Sequence, residues 1–94
     1  MPFGNPLPHA FTYSGIQMHA PVASGVYGIS NSREWIYIVE TDDIHGSLLS
    51  HLQSTGVEIM NRHPSGFVFE VRGPADRVVR QDRLVAEYAP VCNR

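Results

Sequence analysis

The side chains with chemistry to offer fall into four groups. Tyr27 and Tyr37 stand on two neighbouring apolar runs. There they can line a site, or pack in the core with one hydroxyl left wet. His45 and His51 bracket Ser47, and a protonated imidazole can meet a phosphate, although two polar residues at a helix margin need no ligand. Glu40, Asp42, Asp43 and His45 form a carboxylate-rich cluster with metal-binding types. Carboxylates at a helix start are ordinary caps, and that is the reading adopted for them. Arg72, Arg77, Arg80 and Arg83 can follow a phosphate backbone, or face solvent with Asp76 and Arg80 paired one turn apart. His9, His19 and His63 fall in loops without ligand spacing, and Cys92 reads as apolar filler.

The elements that must position these groups follow from periodicity. Gly25–Ile29 and Trp35–Glu40 alternate as β-strands, joined by the polar link Ser30–Glu34, so they pair antiparallel. Tyr27 and Ile29 share one face; Trp35, Tyr37 and Val39 share another. Neither face of the second run is polar, which predicts a central strand covered on both sides. Thr41, Asp42 and Asp43 then open a helix that ends near Thr55, before Gly56. Ile44, Leu48 and Leu52 make its buried stripe, with Ser47 and His51 along one edge. Gly46 is out of place in a helix and marks a close approach. Val57–Met60 and Phe67–Val71 read as strands, and Gly73-Pro74 introduces a second helix, Ala75 to Tyr88. On that helix Val78, Gln81, Leu84, Val85 and Tyr88 turn inward, while Arg80, Arg83 and Glu87 turn outward. The lead-in, residues 1–23, is an irregular arm, with FTYSGIQM as an edge strand or extended segment; residues 24–94 are the domain. The fold class is α+β: a small antiparallel sheet of about three strands flanked by helices, in the order β-β-α-β-α.

Composition sets limits. Ninety-four residues with 43% hydrophobic content fit one small folded domain. The net charge of −2 disfavours an indiscriminate nucleic-acid binder. The chain has no lysine. Up to Val71, Arg33 and Arg62 face six carboxylates, a balance of −4; beyond it five arginines face Asp76, Asp82 and Glu87, a balance of +2. An anion-binding face is expected on that last third. One cysteine excludes an internal disulfide and fits a reducing compartment. With neither a signal-peptide pattern nor a membrane-length apolar run, the chain reads as cytoplasmic.

From Ser24 to Asn93 the chain resembles the GIY-YIG endonuclease superfamily. Gly25-Val26-Tyr27 is similar to the first signature tripeptide. Tyr37-Ile38-Val39 is similar to the second, with valine for its glycine. Thr41–Leu52 is similar to the pattern of polar turn, aliphatic residue, basic segment and a histidine near the helix end, and Leu84–Asn93 to the closing leucine, tyrosine, proline and asparagine. The resemblance implies cleavage of nucleic-acid phosphodiesters with one divalent metal. In that scheme the first tyrosine helps to activate water, an arginine on the first helix contacts the scissile phosphate, and a glutamate on the second holds the metal. The family-site positions here are Tyr27, Tyr37, His45, Ser47, His51 and Gln81. Serine takes the place of the arginine and glutamine that of the glutamate. A neutral amide is a poorer magnesium ligand than a carboxylate, and serine supplies no positive charge. Losing even one electrostatic donor costs on the order of 10²–10³ in rate. The expectation is therefore a degenerate nuclease-like domain that binds nucleic acid or protein, with no cofactor. The alternative is an active nuclease with relocated groups, using Mg or Mn. Oligomeric state is left open.

Overall fold

The structure, a computed structural model, describes residues 3, 7–53, 59 and 61–93. Within them a four-stranded antiparallel sheet has the order β1-β4-β2-β3. The strands are β1 (His9–Ala10), β2 (Gly25–Ser30), β3 (Trp35–Thr41) and β4 (Gly66–Val71). Helices α1 (Tyr13–His19) and α2 (Ile44–Gln53) cover one face. Helix α3 (Arg77–Tyr88) covers the other, and the single 3₁₀ turn Val91–Asn93 follows it.

Every residue of β2 is buried, because β3 and β4 flank it and helices lie above and below. Its alternation divides the core in two. Tyr27 and Ile29 join Ile16, Ile44, Leu48 and Phe67 under α1 and α2. Val26 joins Ile38, Val68 and Leu84 under α3, with Phe3 closing that side. Truncating Leu48 or Leu84 to alanine would cost about 2–5 kcal/mol from lost burial and the cavity left behind. Gly25 allows the tight entry into β2: a Cβ there would run into the Glu70 carbonyl oxygen and the Ile44 side chain.

Several sequence expectations change. The sheet has four strands because the lead-in supplies β1, pairing His9 with Phe67 and Ala10 with Gly66. FTYSGIQM is neither a strand nor an extended arm. Thr12 caps α1 by accepting the Gly15 N–H at 3.0 Å, and Ile16 is driven fully into the core. His9 therefore lies in a strand and His19 in the last turn of a helix, their rings stacked 4.2 Å apart. The run Val57–Met60 lies outside the described residues except for Ile59, which is helical and buried. The end expected near Thr55 for α2 also lies outside them.

The strand expected at the centre, β3, is an edge. Both its faces are apolar because helices cover both, while its free backbone edge is closed by side chains instead of a further strand. Asn93 Nδ2 donates to the Ile38 carbonyl and the Ile38 N–H donates to Asn93 Oδ1, both at 2.8 Å. Gln81 Oε1 accepts the Glu40 N–H at 2.8 Å. Trp35 does not share a face with Tyr37. A register shift at Ile29/Ser30 turns it to the α3 side, where it packs on Phe3 and Tyr88. Helix α3 is rotated from the expected stripe: Val78 and Val79 are exposed, whereas Arg80 and Leu84 are buried.

Candidate functional site

The β2–β3 register places Tyr27 opposite Val39 and Tyr37 opposite Ile29, so the two rings sit diagonally on one face. Helix α2 starts where Asp43 caps it: Gly46 N–H donates to Asp43 Oδ1 at 3.1 Å, and a Cβ on Gly46 would collide with that carboxylate. This is the close approach marked by the glycine. From that start α2 carries His51 over both tyrosines, its ring edge-on at 5.7 Å from Tyr27 and 5.8 Å from Tyr37. His51 Nε2 lies 2.7 Å from Tyr27 Oη. Burial pushes the Tyr27 hydroxyl well above the ordinary tyrosine range, and Tyr37 adds to the shift. Burial pushes His51 below the ordinary histidine range. At neutral pH the contact is thus a neutral phenol against a neutral imidazole. With the His51 proton on Nδ1, Tyr27 Oη–H donates to Nε2.

Ser47, one turn before His51, holds its hydroxyl 2.6 Å from Thr41 Oγ1, which also accepts the Asp43 N–H at 3.1 Å. From the opposite face Gln81 reaches Glu40, the residue before Thr41. Ser47 and Gln81 therefore meet adjacent residues at the end of β3, next to Val39, the partner of Tyr27. His45 is not part of this convergence. Its Nδ1–H donates to the Ala20 carbonyl at 3.0 Å, tying α2 to the end of α1. The carboxylate cluster is likewise dispersed: Asp43 caps α2, Asp42 is exposed, and Glu40 Oε2 lies 2.8 Å from Arg77 Nε. That pair is Coulombic, since the Arg77 Nε–H makes no directed hydrogen bond.

The donor set does not suit the divalent metal implied by the family. At Gln81, where the resemblance implies a metal-holding carboxylate, the amide oxygen faces a backbone N–H, and the neighbouring carboxylate of Glu40 faces a guanidinium. Among the described residues no three His, Cys, Asp or Glu side chains group to hold an ion.

The arginines proposed from sequence to track a backbone are mostly engaged. Arg80 does not face outward: it is buried, with Nη2 donating to Glu70 Oε1 at 3.0 Å and Nε to Oε2. Arg72 Nε adds a bond to Glu70 Oε2 at 2.9 Å. Burial opposes the charge on Glu70, but hydrogen bonds from Arg80 and Arg72 outweigh it and hold the carboxyl below its ordinary range. Arg83 is the member of the four left fully on the surface without an ion pair among the described residues. Sequence reasoning gave no individual role to Asn93 or Thr41. The signal for Asn93 lay in the closing motif, whereas Thr41 was placed only in the helix opening, with nothing to show that its hydroxyl would meet Ser47.

No protein-family model matches the chain, and no curated protein sequence does. Solved structures do match. The N-terminal GIY-YIG endonuclease domain of UvrC from Thermotoga maritima, bound to its catalytic magnesium, superposes with a TM-score of 0.72 at 21% identity, over 84% of this chain and 96% of that one. A point mutant of the same domain, bound to its catalytic divalent cation, gives a TM-score of 0.72 at 21% identity, over 84% and 94%. A second gives 0.72 at 20%, with the same coverage. Superposition over most of both chains leads to one conclusion: this chain has the GIY-YIG endonuclease-domain fold.

Proposed function

We propose that this chain is a catalytically degenerate GIY-YIG nuclease-like domain that binds its partner without cutting it. The observation that carries the reading is the position of Gln81, whose amide closes the β3 edge where metal-dependent cleavage needs a carboxylate. Ser47 supports it, since its hydroxyl is held by Thr41 and carries no charge toward a phosphate. His51 does not replace the missing cation, because burial favours its neutral form. Nucleic acid is the first partner class to test, because the solved neighbours are endonuclease domains. A protein partner is the alternative. No helix among the described residues is long and apolar enough to cross a membrane, and a cytoplasmic location belongs to this proposal.

One observation favours residual activity: the 2.7 Å contact of Tyr27 Oη with His51 Nε2, a hydroxyl beside a neutral base. Supercoiled plasmid incubated with the protein and magnesium or manganese separates the two readings. Plasmid that stays supercoiled supports the binding module. Nicking that vanishes in Tyr27→Phe replaces it with a nuclease. Retention of DNA or RNA that weakens steeply as salt rises identifies phosphate contacts; no retention at low salt points to a protein partner.

A further inference from the structure

We propose that the cleft between the β2–β3 turn and the segment entering β4 binds a phosphate-bearing ligand of nucleotide size. It opens about 470 Å³ at the Ser30 end of β2. Ser47 and Gln81 meet β3 at the other end of the sheet, beside Gly25, so the inference does not depend on whether the tyrosine–histidine site cuts.

One side chain builds both walls. Asn31 Nδ2 donates to the Arg62 carbonyl at 2.6 Å, across the cleft. Its Oδ1 accepts the Arg33 N–H at 2.8 Å and the Glu34 N–H at 2.9 Å, fixing the turn. The Ser65 N–H donates to the Ser30 carbonyl at 2.9 Å and closes the base. The cleft is therefore held by hydrogen bonds between its walls.

The charge in the cleft suits an anion. Arg33 and Arg62 line it, against the single carboxylate of Glu34. Arg62 Nη1 is 3.6 Å from Glu34 Oε2, longer than a direct hydrogen bond, so that arginine is only partly neutralised. The Arg33 guanidinium is exposed and makes no ion pair or hydrogen bond among the described residues. Two arginines line one opening; guanidinium forks suit the paired oxygens of a phosphate, and the partner displaced from Arg62 is a loosely held carboxylate. An adjoining hollow of about 320 Å³ shares Arg33 and Glu34 and runs on to Trp35 and Pro8. It offers apolar surface for the organic part of a ligand larger than phosphate itself.

The test is a titration of the whole isotope-labelled chain at constant ionic strength, read by amide chemical shifts. The probes are inorganic phosphate, adenosine 5′-monophosphate and a short oligonucleotide with or without a 5′-phosphate. Saturating shifts are expected at residues 31–34, 61–63 and 65, with the monophosphate binding more tightly than phosphate. Arg33→Ala with Arg62→Ala should weaken binding about ten-fold or more, while Arg83→Ala leaves it unchanged. Both replaced side chains are exposed, and unshifted core resonances will show that the variant is folded. Tighter binding of the 5′-phosphorylated oligonucleotide than of the monophosphate assigns the ligand to a strand end; weaker binding assigns it to a free nucleotide. No saturable shift at these amides with about 10 mM phosphate or monophosphate, a range that already admits weak ligands, would overturn the proposal. Equal affinity in the double variant would also overturn it.

Discussion

On one side of β3 lie Tyr27, Tyr37 and His51, rings in contact and largely buried; at its end lie Ser47 and Gln81, polar and half-buried. The aromatic group has two reasons to persist, since Tyr27 fills the core and its hydroxyl has a partner there. The polar group does structural work. Gln81 satisfies the Glu40 N–H and Ser47 satisfies Thr41, which ties helices to an edge strand but provides no charge. The contrast separates what this fold needs in order to stand from what phosphodiester cleavage needs. Packing and backbone satisfaction maintain the fold; a fixed cation and a metal ligand are additional to it.

The largest effect that would sharpen this contrast lies outside both groups. Glu70→Ala leaves Arg80 buried without its carboxylate and is expected to lower stability by about 3 kcal/mol. Arg72→Ala, which removes the exposed arm of the same cluster, should cost at most about 1 kcal/mol. Denaturant titration compares the two, and equal costs would break the distinction between anchoring and surface pairing. Asn93→Ala strips both hydrogen bonds from Ile38 and should cost about 2 kcal/mol. It also exposes the β3 edge, so association visible by light scattering is expected to rise.

Acidification gives the next effect. His51 and His9 both have folded-state pKa values below the ordinary 6.5, through burial and, for His9, through His19 as well. Their contribution to stability is fully present above that value and is lost as pH falls through it toward the folded values. Glu70, also depressed, adds a further loss below the ordinary glutamate value of 4.5. The melting temperature should therefore fall between about pH 7 and pH 5 and again below about pH 4. His51→Gln should flatten part of the first step, and an unchanged first step would show that His51 is not held neutral. A similarly small effect is expected from Tyr27→Phe, which removes the hydroxyl bond to His51 for about 1 kcal/mol and keeps the ring packing.

Local rules made β2, β3 and α2 legible, because alternation, a polar turn and an aspartate cap all act within a few residues. The edge position of β3 was not legible. Its closure comes from Gln81 and Asn93, far along the chain, and apolar patterning reports cover by helices without distinguishing an edge from a centre. Trp35 was misplaced because one irregular step after Ile29 reverses every face beyond it. Arg80 was misread because a buried guanidinium is unfavourable without its partner, and Glu70 lies on another element. The diagonal tyrosines were legible from strand pairing, but their contact with His51 depended on the direction in which α2 crosses the sheet.

The most direct measurement uses supercoiled plasmid and magnesium or manganese with two proteins: the natural chain and the double variant Ser47→Arg, Gln81→Glu. The natural chain should leave the plasmid intact and show no heat of metal binding. The variant, with a cation and a carboxylate restored at the end of β3, should bind the metal measurably. Nicking by the natural chain that is lost in Tyr27→Phe would contradict the account, because the scaffold would then cut without either group.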